Sequence, residues 1–285
     1  TENPSLNKEV LLLQQLFKEY KVSLGITSKT ASYKNNIHLQ ITNEIENREG
    51  YQLFVKRNGI TIKAETSAGI FYAIQTLRQL IKDKQIQCAA INDSPAFPFR
   101  GFMVDVGRNY QSIKQLKEQI DVMAAYKLNI FHFHHTEDIA WRLQSKIYPQ
   151  LTDAKYMQRN PGKFYSLDEM RELIAYCKKK HITLIPEIDM PGHSAAFKRA
   201  MGVDMQSDEG VAICKNILTE LCRELYVPYV HIGGDEVKIT NTDFLPQMIA
   251  VLKSKGKKVI AWQPGGNTPE GTMQQMWIGD TKPKD

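Results

Sequence analysis

From residue 100 to residue 278 the sequence repeats one pattern. Short β-prone apolar runs alternate with amphipathic helical stretches, and every run ends in polar or aromatic residues. The runs lie at residues 100–106, 129–134, 182–188, 229–232, 259–262 and 273–278. Between them, Ser112 is placed to cap a helix carrying Ile113, Leu116, Ile120 and Met123, and Ser166 with Glu169 forms a capping box before Met170, Leu173, Ile174 and Cys177. A third helix is expected over residues 210–225. Strand–helix alternation predicts a parallel sheet with right-handed crossovers. A doubly wound sheet would gather its polar groups at one switch point. Here they follow every strand, which is the pattern of the site face of a (β/α) TIM-type barrel. The fold class is therefore α/β. A complete barrel has eight strands, and six are legible, so the expected reading is a barrel domain over residues 96–285 that lacks its last strands.

Residues 1–95 read differently, as a small α+β domain without a chemical motif. A helix is expected over residues 7–20, and strands over residues 22–26 and 37–41. A hairpin joins 51–55 to 60–64 through Arg57, Asn58 and Gly59, a turn attributed to the tolerance of Asn-Gly for positive φ. Ser67 is placed to cap a helix bearing Ile70, Phe71, Ile74, Leu77 and Ile81. The turn-rich residues 92–98 mark the boundary.

Composition excludes several classes. The 285 residues carry a net charge of +6 with scattered basic residues, which argues against nucleic acid as a partner. No apolar run approaches the roughly 20 residues of a membrane helix. The four cysteines form no CxxC pair and no zinc spacing, which leaves the redox compartment undetermined; no cofactor is expected, and no metal in the leading reading. Cys177 and Cys222 fall on apolar helix faces and are expected as buried free thiols.

The groups at the strand ends are rich in carboxylates: Asp105, Glu137, Asp138, Glu187, Asp189, Asp235 and Glu236, with His132, His134, His135, His193, Arg108, Trp262 and Trp277. There is no Ser nucleophile elbow and no Gly-x-Gly-x-x-Gly. Aromatic faces beside charged hydrogen-bonding groups suit a sugar ring. Glycoside hydrolysis needs a carboxylic acid poised at the leaving oxygen. Two adjacent acids, Asp235 and Glu236, cannot both address one bond, so one has another task; taken alone, the pair reads equally as the first turn of a helix. His132 and His134, two apart on one strand, share a face. With Glu137 and Asp189 they resemble a divalent-metal site, which keeps a metal-dependent hydrolase open as an alternative, alongside a non-catalytic sugar-binding fragment. Arg100 and Asp105 read as structural, and Asp138 with Arg142 as a buried pair holding the long segment before Tyr165.

Four stretches carry a resemblance to a known family. They are Phe99-Arg100-Gly101-Phe102-Met103-Val104-Asp105-Val106-Gly107-Arg108, residues 128–138, Pro186-Glu187-Ile188-Asp189-Met190-Pro191-Gly192-His193-Ser194, and His231-Ile232-Gly233-Gly234-Asp235-Glu236. Together with residues 69–80 they resemble glycoside hydrolase family 20, the β-N-acetylhexosaminidases, over most of residues 20–280. The resemblance implies removal of a terminal β-linked N-acetylhexosamine by a retaining, substrate-assisted route; this family is a recognised exception to the two-carboxylate rule. It implies Glu236 as general acid and then base, Asp235 orienting the acetamido group, and substrate contacts from Arg108, Glu137, His193, Trp262 and Trp277. Asp189 and His134 are implied as supporting residues. The partner implied is an oligosaccharide or glycoconjugate containing N-acetylhexosamine, and the compartment is extracytoplasmic. The chain departs from the family pattern at Glu137-Asp138, where Asp-Asp is usual, and at His135, where an apolar residue is common. Nothing in the sequence matches the Tyr, acid and Trp that the family draws from strands seven and eight.

Overall fold

The computed structural model describes residues 6–27 and 35–278. They fall into two compact units: one within Thr1–Arg100, Asp121–Asn129 and Lys179–His181, the other within Gly101–Ile120, Ile130–Lys178 and Ile182–Asp285.

In the first unit, helix α1 (Asn7–Glu19) buries Leu13 and Leu16 on one face, as the 3.6-residue spacing requires. Its Glu9 is also buried, against His181 Nε2 at 3.0 Å. Four strands form a sheet in the order β1-β3-β2-β6: β1 (Asn36–Ile41), β2 (Tyr51–Lys56), β3 (Gly59–Ala64) and β6 (Ala89–Asp93). Two-residue strands β4 (Ile81–Lys82) and β5 (Gln85–Ile86) pair with each other apart from it. Strict alternation along β2 and β3 sends Tyr51, Leu53, Val55, Ile60, Ile62 and Ala64 to one face, where helix α2 (Ser67–Leu80) covers them. Lys127 Nζ donates to Tyr51 Oη at 2.8 Å and to Asp93 at 2.9 Å, which gives this half-buried hydroxyl the partners it needs.

Three local expectations are corrected. The hairpin forms, but neither Asn58 nor Gly59 takes a positive φ, so the turn does not use the freedom attributed to Asn-Gly. The cap of α2 is Thr66, whose hydroxyl accepts from the Ala68 N–H; Ser67 is the first helical residue. Residues 22–26 form no strand: Val22 and Ile26 are exposed and their backbone pairs with no neighbour strand.

The second unit holds six parallel strands in sequential order: β7 (Gly101–Asp105), β8 (Ile130–His134), β9 (Thr183–Glu187), β10 (Tyr229–His231), β11 (Lys258–Gln263) and β12 (Met273–Met276). The expected helices are present as α3 (Ile113–Ala125), α4 (Leu167–Lys179) and α6 (Asp208–Glu224), and their starts are built as the sequence implies. Ser112 and Gln115 bond reciprocally, as do Ser166 and Glu169. Two further helices, α5 (Ala195–Met201) and α7 (Phe244–Ser254), were not anticipated. Among the described residues β7 and β12 pair on one side only, so the barrel is open there. Phe102 and Met103 on one edge, and Met273 and Met276 on the other, are left exposed. Cys177 and Cys214 are buried, whereas Cys222 is only half-buried because its turn of α6 is partly exposed.

Register sets the site. Asp105, His134, Glu187 and His231 are successive partners across β7, β8, β9 and β10. Aligned residues of parallel neighbours share a face, so these four side chains form one row. Ile130, Ile185 and Ile260 pack together as a buried apolar cluster, Ile260 in register with His231.

In the first unit, a Cβ at Gly69 would lie 2.3 Å from the Gly50 carbonyl oxygen and 2.7 Å from Ala64 Cβ, so α2 meets the sheet there by backbone contact. Gly69→Ala is expected to lower stability by about 1–3 kcal/mol through overpacking, despite the better helix propensity of Ala. Denaturant unfolding checks this, and a stabilised variant would show that the helix can shift.

Candidate active site

Beyond β10 the chain does not enter a helix until Phe244, so Asp235 and Glu236 are not a helix start. Instead three of four successive residues take positive φ: Gly233 (67°), Gly234 (97°) and, after Asp235, the non-glycine Glu236 (50°). A Cβ at Gly233 would overlap the Asp189 carboxylate, 1.7 Å from Oδ1. The glycine is thus required both by its φ and by the carboxylate beside it. His193 also has a positive φ, 44°. Two non-glycine residues held in a sparsely populated region at one place mark a strained, over-determined site.

This backbone sends the two adjacent acids to different surroundings. Asp235 is 6% exposed, and its Oδ1 has no hydrogen-bond partner. Burial, reinforced by the charge of Asp189, pushes its pKa up to about 6. The Glu236 side chain is 53% exposed, and its Oε2 lies 3.1 Å from His193 Nε2. The other ring nitrogen of His193 donates to Asp189 Oδ2 at 2.6 Å. That bond raises the imidazole to about 9 against the effect of burial, so it bridges the two carboxylates as a cation at neutral pH. Burial raises Asp189 in turn, although its bond to His193 pulls the other way; Thr136 and Gly234 complete its contacts.

The opposite wall is a chain of charges. Arg108 Nη1 bonds Asp105 Oδ2 at 2.5 Å, its backbone N–H donates to Asp105 Oδ1 at 2.9 Å, and Nη2 pairs with buried Glu137 Oε1. Burial disfavours the guanidinium charge, but Asp105 and Glu137 raise its pKa overall. Glu137 Oε2 accepts from the Asp138 N–H at 2.6 Å.

Beneath both walls lies Glu187, fully buried. His132 Nε2 (2.6 Å) and His134 Nδ1 (2.7 Å) donate to its Oε2, Trp262 Nε1 donates to Oε1 at 2.9 Å, and His231 Nδ1 lies 3.1 Å from Oε1. Burial opposes its charge, yet the imidazoles hold it well below the usual carboxylate range. His134 is raised to about 11 despite burial, through Glu187 and Glu137. His132 is lowered by burial and stays neutral, its Nδ1 facing Gln275 Nε2 at 3.4 Å.

The structure therefore brings Asp189, His193, Asp235 and Glu236 together, and Arg108, Glu137 and His134 together. Trp262 is 9% exposed and tied to Glu187, whereas Trp277 is 37% exposed, with its N–H on the Pro264 carbonyl. The shared face of His132 and His134 is real, but both rings spend a proton on one Glu187 oxygen. His132, Glu187 and His231 are close enough together to ligate an ion only by giving up those bonds. The pair expected between Asp138 and Arg142 does not form. Fully buried Arg142 donates to five backbone carbonyls, those of Val106, Gly107, Arg159, Asn160 and Lys163, while Asp138 Oδ1 accepts from the Ala195 N–H. Glu187 was among the strand-end acids, but its central place was missed; its alternation partners His132 and His134 were the available signal. His135 points to the other side of β8, beside Phe133, with both ring nitrogens unpartnered and its pKa driven by burial down to about 3.

Comparison with known proteins agrees with this geometry. Residues 97–209 match the model of the glycosyl hydrolase family 20 catalytic domain, and residues 1–94 match the model of domain 2 of the same family. The chain belongs to glycosyl hydrolase family 20. It is 30% identical to a beta-hexosaminidase of Porphyromonas gingivalis, over 95% of this chain and 43% of that protein, and 31% identical to a beta-N-acetylhexosaminidase of Cellulomonas fimi, over 80% and 53%. The chain thus spans about half the length of these relatives. Among solved structures it resembles a beta-N-acetylhexosaminidase of Bacteroides fragilis (TM-score 0.84, 30% identity, 95% of this chain and 64% of that one). It also resembles a family 20 exo beta-N-acetylglucosaminidase of Vibrio harveyi in complex with N-acetylglucosamine (TM-score 0.86, 26% identity, 97% and 53%).

Two substitutions test the electrostatics. The folded-state pKa of Asp235 lies above its unfolded value, so ionised Asp235 costs stability above pH 6 and nothing below about pH 4. Asp235→Asn is expected to gain about 1–2 kcal/mol at pH 8, shrinking as the pH falls through 6; unfolding curves at both pH values check it. Arg142→Lys, which cannot satisfy five carbonyls from a planar fork, is expected to lose about 3 kcal/mol or more in the same assay.

Proposed function

We propose that this chain carries the catalytic centre of a glycosidase that removes terminal β-linked N-acetylhexosamine from oligosaccharides or glycoconjugates, with retention. One observation carries the reading. Consecutive carboxylates are sent to opposite environments, Asp235 buried with an unpartnered oxygen and Glu236 exposed against a histidine. Carboxylates whose environments differ in this way divide roles.

In this reading the substrate's acetamido oxygen attacks the anomeric carbon as the glycosidic C–O bond breaks. Glu236 gives its proton to the leaving oxygen. The carboxylate that results faces His193, whose cation, anchored by Asp189, stabilises the new charge. The free Asp235 Oδ1 takes the acetamido N–H and balances the positive oxazolinium. Glu236 then accepts a proton from the water that attacks the same carbon, which restores the acid and the acetamido group. Arg108 and Glu137 bind ring hydroxyls, and Trp262 and Trp277 supply apolar walls. The relatives that support this substrate class are about twice as long, so the residues completing the barrel belong to the proposal. The extracytoplasmic location is part of it and rests on the family. The metal-dependent alternative is disfavoured because His132 and His134 are committed to Glu187. Among the described residues no helix is long and apolar enough to cross a membrane.

The test is nitrophenol release from the β-N-acetylglucosaminide. Glu236→Gln is expected to lower kcat by about 10²–10⁴-fold. A β-glucoside without the acetamido group is expected to give no turnover. Because Asp235 must be ionised, kcat/KM is expected to fall below about pH 6. Equal turnover of the β-glucoside would sink the substrate-assisted route.

A further inference from the structure

We propose that His134 and Glu187 are positioning residues for sugar binding, holding Glu137, and through it Arg108, from inside the barrel. The proposal rests on the reading above, in which Arg108 and Glu137 contact the sugar.

His134 stands between two carboxylates. Its Nδ1 donates to Glu187 Oε2 at 2.7 Å, and its Nε2 faces Glu137 Oε1 at 3.8 Å, too long for a hydrogen bond and close enough for a strong Coulombic contact in a buried place. That Nε2 has no other partner, although His134 is only 3% exposed. The same Glu137 oxygen pairs with Arg108 Nη2 and lies 3.9 Å from His193 Nδ1. Charges therefore alternate from the barrel interior to the rim: Glu187, His134, Glu137, Arg108. The inner end is rigid and buried, and the outer end, Arg108, is 45% exposed. A long side chain at the rim loses conformational freedom when it binds a ligand, and a fixed counter-charge behind it removes part of that loss in advance.

The titratable groups that face His134 come from every neighbouring strand. They are Asp105 on β7, His132 on β8, Glu187 with Asp189 after β9, and His231 on β10, with Glu137 and His193 above; the adjacent His135 points to the other side of the sheet. His132 and His135 are driven toward the neutral form by burial, which leaves the carboxylates to decide. Their excess favours the imidazolium, and the raised pKa of His134 agrees. Glu187 is the one of them bonded directly to the ring of His134, so it dominates that balance.

The test reads the charge and the binding separately. Side-chain ¹⁵N shifts of His134 are expected to show both nitrogens protonated from about pH 6 to about pH 9 in the wild type, unlike a free imidazole. In Glu187→Gln the ring is expected to become neutral within that range. N-acetylglucosamine affinity, measured by calorimetry, is expected to fall about tenfold in Glu187→Gln and in His134→Asn, as for loss of one oriented charge-assisted contact. His134→Asn keeps a donor toward Glu187 without the charge, and it serves if Glu187→Gln does not fold. A neutral His134 at pH 7 in the wild type, or a folded His134→Asn that binds the sugar like the wild type, overturns the proposal. Absence of sugar binding by the wild type instead overturns the functional reading beneath it, so the two failures are read on different proteins.

Discussion

A buried carboxylate at the centre of the barrel constrains everything around it. Glu187 has no access to solvent, and an ionised carboxylate without partners would be untenable there. Its partners come from β8 (His132, His134), β10 (His231) and β11 (Trp262), so one side chain ties together strands that are far apart in sequence. The register of four strands must be correct at once for these groups to meet. A slip of one residue in any of them would turn its side chains to the other face and leave the charge unpaired. The same carboxylate therefore specifies the sheet and anchors the floor of the site.

Above that floor, backbone strain and electrostatics work together. The positive φ at Gly233, Gly234 and Glu236 turns the chain sharply after β10, and the overlap a Cβ would make at Gly233 shows how closely Asp189 approaches it. The turn leaves Asp235 inside and Glu236 outside. Burial, reinforced by the charge of Asp189, then sets Asp235 apart, since adjacent carboxyl groups differ only in what surrounds them. His193, itself held at a positive φ, is the cation that the exposed acid faces and the buried one does not touch.

What could be read in the sequence follows from which interactions are local. The cap at Ser112, the capping box at Ser166, the alternation in β2 and β3, and the helical spacing of α1, α4 and α6 are short-range patterns, and they appear in the structure as written; α2 does too, except that Ile81, expected on its face, lies beyond its end and begins β4. So do the six parallel strands. The misses are of another kind. Residues 22–26 have strand-like composition, but no neighbouring strand pairs with them, and pairing is a tertiary fact. Helix α7 was missed although Asp243 stands at its N-cap position and Leu245, Met248, Ile249 and Leu252 recur at helical spacing; the Asp243 side chain makes no cap bond in the structure. Among the site groups, His193 and Glu236 were legible as strand-end residues. The centrality of Glu187 was not, because it comes from register between strands. Arg142 was noticed and given the wrong partner: a carboxylate is the obvious guess for an arginine, and a ring of carbonyls from two separate stretches, 106–107 and 159–163, cannot be seen in a linear pattern.

The carbonyl ring around Arg142 bears on how the site meets a ligand. A segment as long as the one between β8 and α4 is commonly a mobile cover. Here its first half is fastened to the turn after β7 by the guanidinium fork of Arg142 and to α6 through Ser145 and Lys146 on Glu220, and the same guanidinium holds its later residues Arg159, Asn160 and Lys163. The entropy of ordering it is lost during folding and not at the moment of encounter. The side of the site that holds Arg108 and Glu137 is thus in shape before any ligand arrives, and the free energy of an encounter there is not spent on ordering the segment.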